Sequence, residues 1–217
     1  MTQEQQTKRE QIVRCFRKLY EQGTINLYEG NFSARDGENV LMTPSQQNKE
    51  TMTPEMLVLL DAQGRVLSSN GLRPSSEARM HLEIYRLRPD LGAVVHTHSA
   101  FASAYALAGK PISGELAELY LFYGGEIPCC AYGAPGTDAV FAEFERYFLR
   151  EKKDVVLLAN HGLVAAGRDA EEAFSRAEAV EKLAKTALLA RLLGGESPLP
   201  DGAAEELVGR WRKGKNI

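Results

Sequence analysis

Cysteine is scarce. The 217 residues contain three, at Cys15, Cys129 and Cys130. An odd count with no C-x-x-C spacing excludes a disulfide framework and a zinc ribbon. The adjacent pair in GGEIPCCAYG reads as small strand residues. No apolar run approaches the length of a membrane span. The first residues lack the basic and apolar regions of a secretory signal. Neither sign of charge dominates: 26 Lys and Arg against 29 Asp and Glu give a net charge of −3. Neither a nucleic-acid nor a membrane surface is therefore expected. The basic end, RWRKGKNI, reads as a solvated tail. Internal repeats, low-complexity segments and linkers are missing as well. These absences lead us to expect a cytoplasmic protein. With 44% hydrophobic residues, residues 1–217 are long enough to bury one core and are expected to form a single domain.

The elements follow from periodicity. Residues 4–22 place Ile12, Phe16, Leu19 and Tyr20 on one helical stripe, with Gly23 as the stop. INLYEGNFSARDGENVLMTPS predicts two strands around a turn at Arg35–Asn39, and MLVLLDAQGRVLS a hairpin turning at Asp61–Gly64. A helix over 75–88 is capped by serine and closed by Pro89. GAVVHTHS reads as a strand, followed by a helix from near Ser99 to Ala108 and a short helix over about 113–123. IPCCAYG is read as a strand and DAVFAEFERYFLREK as an amphipathic helix. DVVLLANHGLVAAGRD is read as a hairpin around NHG. A long helix over 170–193 stops at Gly194 and Gly195, and a last helix covers 203–212. Strands joined as direct hairpins, mixed with helices, predict an α/β fold with substantial antiparallel pairing.

Histidine is rare too, at four residues, yet His96 and His98 stand one residue apart. In a strand, residues i and i+2 face the same way. His161 sits where another apolar strand ends in a turn. Two strand ends can converge, and three neutral imidazoles with an open position form the pattern of a catalytic zinc site. His81 lies four residues after Glu77, on the same helical face. The reading we adopt for His81 is a helix-surface or core histidine bonded to Glu77. PSSE, EGNFSAR and MTPSQ add hydroxyls, a Gly-Asn turn and free N–H groups at a helix start, where anions such as phosphate bind.

GNFSAR, MTPS, PSSEARMH, VVHTHS, IPCCAYGAPGT and NHGLVAAG occur in that order. The ordered set resembles the class II aldolase/adducin family over about residues 8–193, nearest to fuculose-1-phosphate aldolases and ribulose-phosphate epimerases. The resemblance implies a three-layer α/β/α fold with a central, mainly antiparallel sheet. It implies a homotetramer with active sites near subunit interfaces. His96, His98 and His161 match the family's metal ligands, for Zn2+ or another divalent ion such as Mn2+ or Co2+. Glu77 matches its acid/base carboxylate. Gly30, Asn31, Ser45, Ser75 and Ser76 match positions that hold a substrate phosphate. Glu118 and Tyr120 both stand where the family places a second acid/base, which handles the proton on the aldehyde oxygen. Gln46 departs from a glycine common in the family. Trp211 is an apolar candidate to fold over the site, with a peripheral helix as the alternative. The activity implied is metal-dependent cleavage of a ketose phosphate, fuculose-1-phosphate-like, to dihydroxyacetone phosphate and a small aldehyde. A 4-epimerase, a methylthioribulose-phosphate dehydratase and a sugar-acid phosphate decarboxylase would use the same site. An adducin-like interaction module would not need one.

Overall fold

The computed structural model describes residues 2–216. Helix α1 (Gln3–Glu21) begins with a reciprocal cap: the Thr2 hydroxyl accepts from Gln5 N, and the Gln5 side chain accepts from Thr2 N. Two N–H groups that a first turn leaves free are thereby satisfied. Strands β1 (Asn31–Asp36) and β2 (Asn39–Met42) form one hairpin, and β3 (Val58–Leu60) and β4 (Val66–Ser68) another. The second turns on Asp61, whose carboxylate accepts from Gln63 N and Arg65 N. Then come α2 (Ala78–Leu87), β5 (Ala93–Thr97), α3 (Ala100–Leu107), β6 (Ile112–Ser113) and α4 (Ala117–Tyr123). They are followed by β7 (Glu126–Ile127), β8 (Cys129–Cys130), β9 (Val155–Leu158), β10 (Gly162–Gly167), α5 (Ala170–Leu192) and α6 (Ala203–Lys215).

Eight strands share one sheet in the order β4-β3-β2-β1-β5-β10-β9-β8. Its neighbours are antiparallel except β8 and β9, which run parallel. Strand alternation sorts the buried side chains into two cores. Phe32, Val95, Leu157 and Leu163 face α1, α3 and α5, while Val94, Val156 and Val164 face α2 and the helical turns of 138–150. The architecture is the expected three-layer α/β/α sandwich. The same parity places Asn31, Ser33 and His96 on the α2 side of the sheet, because their neighbours Phe32 and Val95 point to the other side. Among the described residues, no helix is long and apolar enough to cross a membrane.

Three segments differ from expectation. The helix expected over 75–88 begins only at Ala78, so Ser75 and Ser76 stay in the preceding turn. IPCCAYG is not one strand but two short ones, β7 and β8, split by Pro128. Proline cannot donate to a ladder. Its carbonyl instead accepts from Leu157 N where the chain changes from pairing with β6 to pairing with β9. DAVFAEFERYFLREK is not a continuous α-helix. It forms a 3-10 turn over Asp138–Phe141 and a wide π-helical segment over Glu145–Arg150. Between them, the Glu143 carboxylate accepts from Ala131 N at 2.5 Å. Gly133 packs so closely on this segment that a Cβ there would lie 2.3 Å from the Ala139 carbonyl and 2.4 Å from Val140 N.

Candidate active site

The three histidines converge at one end of the sheet. His96 lies in β5, His98 just beyond its end and His161 in the turn entering β10. Their ring centroids are 4.7 Å apart for His96–His98, 4.7 Å for His96–His161 and 5.0 Å for His98–His161. One nitrogen from each lies within 4.8 Å of the others. His96 is fully buried, and His98 and His161 are partly so. His96 Nδ1–H donates to the Leu163 carbonyl at 2.9 Å. That bond leaves the Nε2 lone pair free to face His98 Nε2, 2.8 Å away.

The backbone around the rings is specialised. Asn160 takes a left-handed conformation at φ +57°, which asparagine tolerates. Gly162 has no room for a side chain: a Cβ there would run into the Thr97 carbonyl and lie 2.9 Å from His98 Cδ2. Gly30 is similarly confined, at φ +74° with a Cβ position 2.9 Å from the His96 carbonyl.

Glu77, the residue preceding α2, reaches this cluster. Its Oε1 lies 3.3 Å from His161 Nε2 and its Oε2 3.4 Å from His96 Nε2. Asn31 Nδ2 donates to Oε2 at 2.9 Å. Among the described residues, Oε1 is buried with no hydrogen-bond partner, and His161 Nδ1 is in the same state. Burial first, then His98 and His161, hold His96 well below the ordinary value of 6.5. Burial also lowers His161, against the pull of Glu77. The carboxylate thus faces neutral rings. A buried charge without a partner is costly, and a divalent cation on three imidazole nitrogens would balance it. The donor set and the partnerless oxygen both fit such an ion.

The serine-bearing loops lie side by side. Ser45 N donates to the Arg73 carbonyl at 2.9 Å, and Ser75 N to the Thr43 carbonyl at 3.2 Å. The Ser75 hydroxyl accepts from Glu77 N, and Ser76 is exposed. Gly30 and Asn31 join this group through the contact of Asn31 with Glu77. Gln46 adopts φ +54°, a conformation costing a non-glycine residue about 1–2 kcal/mol. Its exposed side chain stands where a glycine would leave open space.

Two expected participants are not brought to the histidines within this chain. Glu118 is exposed on α4, which packs against α6. Tyr120 turns its hydroxyl to Glu115, 3.4 Å away. Trp211 also lies elsewhere, on Gly124 beneath Lys153 Nζ, so the peripheral-helix alternative for α6 describes it. His81 departs from its reading too. It is a core histidine, fully buried, but its partners are Asn31 and Ser33 rather than Glu77. Sequence reasoning also missed Glu29, whose Oε2 lies 3.8 Å from His98 Nδ1.

Comparison with known proteins decides the family. The model described as "Class II Aldolase and Adducin N-terminal domain" matches residues 10–188. The chain belongs to the class II aldolase/adducin family. It is 38% identical over 158 residues to the 5-methylthioribulose-1-phosphate/5-deoxyribulose-1-phosphate aldolase of Rhodospirillum rubrum, covering 72% of this chain and 69% of that protein. It is 34% identical over 209 residues to the 5-deoxy-D-ribulose 1-phosphate aldolase of Bacillus thuringiensis serovar kurstaki, covering 95% and 96%. Among solved structures, an L-fuculose 1-phosphate aldolase superposes with a TM-score of 0.85 at 27% identity, over 95% of this chain and 96% of that one. This class II aldolase-family chain is therefore an enzyme of carbohydrate metabolism, with a histidine triad able to hold a metal.

Proposed function

We propose that this class II aldolase-family enzyme cleaves a ketose 1-phosphate to dihydroxyacetone phosphate and a short aldehyde. The carrying observation is the convergence of His96, His98 and His161 on a buried, partnerless oxygen of Glu77. The substrate class follows from the relatives: two are named for 5-deoxyribulose 1-phosphate. For that sugar the aldehyde is acetaldehyde. The wider fuculose-1-phosphate-like class gives the same phosphorylated product.

A divalent ion on the three imidazoles, zinc or else manganese or cobalt, would supply Lewis acidity at the ketose carbonyl as the C3–C4 bond breaks. The residues of the chain handle everything else. Cleavage removes a proton from the C4 hydroxyl and returns one to C3. Glu77 delivers the C3 proton, since its carboxylate is the titratable oxygen beside the triad. Ser45, Ser75, Ser76, Asn31 and the Gly30 turn hold the phosphate, with hydroxyl and N–H donors. No lysine Schiff base is required. Glu118 or Tyr120 would take the C4 proton from a neighbouring subunit, because α4 of the same chain lies away from the rings. That role implies an oligomer, for which a homotetramer is our reading. A single domain working in the cytoplasm, without nucleic-acid or membrane partners, completes it.

Product analysis with a panel of ketose phosphates tests the reaction. We expect dihydroxyacetone phosphate from 5-deoxyribulose 1-phosphate. A relative named L-ribulose-5-phosphate 4-epimerase, 34% identical over 201 residues, makes an isomeric ketose phosphate the outcome that would replace cleavage by epimerisation.

A further inference from the structure

Behind Glu77 runs a closed file of hydrogen bonds between α2 and β1. Glu77, His81 and Tyr85 follow one another at four-residue spacing along one face of the helix. Asn31 and Ser33 alternate on the strand face opposite. The two rows interlock. The Tyr85 hydroxyl is 2.8 Å from Ser33 Oγ, which is 2.7 Å from His81 Nδ1. His81 Nε2 is 2.5 Å from Asn31 Oδ1, and Asn31 Nδ2 is 2.9 Å from Glu77 Oε2. Ser33, His81, Asn31 and Tyr85 are all buried.

Chemistry fixes the direction of every bond. The Glu77 carboxylate only accepts, so the Asn31 amide must turn its nitrogen towards it. Asn31 then offers its oxygen to His81, which requires the proton on Nε2. His81 Nδ1 must therefore accept, and the Ser33 hydroxyl gives it a proton. Ser33 Oγ in turn accepts from Tyr85, whose phenol is kept protonated by burial. Each group donates once, towards Glu77.

We propose that His81 is a positioning residue: its Nε2–H holds the Asn31 amide in the one orientation that aims an N–H at Glu77 and keeps the carboxylate against the histidine triad. This rests on the proton-transfer role proposed for Glu77. The file lies in the core, so it orients and does not conduct. With the tautomer reversed, a lone pair would face Asn31 Oδ1. The amide would flip and present its oxygen to the carboxylate, replacing attraction by repulsion. Burial supports a neutral ring, lowering His81 to about 3. Among the described residues, Glu77 has no other hydrogen-bond donor on its carboxylate.

The test uses the metal-loaded enzyme, dihydroxyacetone phosphate in D2O and proton NMR to follow exchange at C3. This half-reaction needs Glu77 but no particular aldehyde. In His81→Leu we expect the exchange turnover to fall about 10- to 100-fold, the usual scale for a group acting through a neighbour. Metal content should stay unchanged, and because Asn31 is also assigned to the phosphate, the turnover is compared at saturating dihydroxyacetone phosphate. His81→Gln, which keeps an N–H towards Asn31, should recover most of the rate. Wild-type exchange in folded His81→Leu would overturn the proposal, as would equal losses in both variants. Independently of any variant's folding, nitrogen-15 NMR of the wild-type, metal-free protein should show the neutral Nε2–H tautomer at His81. An Nδ1–H tautomer or an imidazolium would overturn it. Absence of exchange in the wild-type holoenzyme would instead count against the proposed reaction, and the tautomer would still decide the role of His81.

Discussion

Glu77→Gln is expected to keep its metal and lose roughly 100-fold or more in turnover, the scale of one general acid/base. Glutamine preserves the shape of the side chain and an oxygen for Asn31 Nδ2. It removes the group that can exchange a proton beside His96 and His161, 3.4 Å and 3.3 Å away. Turnover and bound metal should be measured on the same preparation. Undiminished turnover would take Glu77 out of the proton-transfer step. Loss of the ion together with turnover would recast it as a ligand.

His161→Ala should have a larger effect. Two ring nitrogens hold a divalent ion far less well than three. Lewis-acid stabilisation worth several kcal/mol corresponds to about 10³-fold or more in rate. We therefore expect the ion to dialyse away and cleavage to fall by about that factor. His161 is a cleaner position than His96 for this experiment. His96 is fully buried in β5 and donates to Leu163, so truncating it also opens a cavity and strands a carbonyl. His161 sits in a turn, and its Nδ1 has no partner to lose. Retention of metal and activity in His161→Ala would remove this residue from the metal site.

Much of this was legible from residue pattern. The long helix expected over 170–193 is found at Ala170–Leu192, where Asp169 caps its start by accepting from Glu172 N. Alternation in GAVVHTHS places His96 and His98 on one side, the strand end at NHG supplies His161, and the structure brings the three together. Other features depend on contacts between segments distant in sequence. The four-residue spacing from Glu77 to His81 was visible, but it suggested a direct bond. The strand residue inserted between them, Asn31, lies 46 positions before Glu77 in the chain. The need for glycine at 162 comes from the Thr97 carbonyl across the ladder, which no local signal encodes. The amphipathic pattern of 138–152 is helical, yet the chain forms a 3-10 turn and a π-helical segment there, beside a contact of Glu143 with the distant Ala131 N. Placement of Glu118 and Tyr120 is likewise set by α4 packing on α6, far from the motif spacing that drew attention to them.

A metal held by His96, His98 and His161, with Glu77 moving a proton beside it, is the centre of the proposed mechanism. Chelation and reconstitution test it most directly, with release of dihydroxyacetone phosphate from 5-deoxyribulose 1-phosphate as the readout. The predicted result is loss of release after chelation and its return with one equivalent of zinc, manganese or cobalt per chain. Release undiminished in the metal-stripped enzyme would contradict the account.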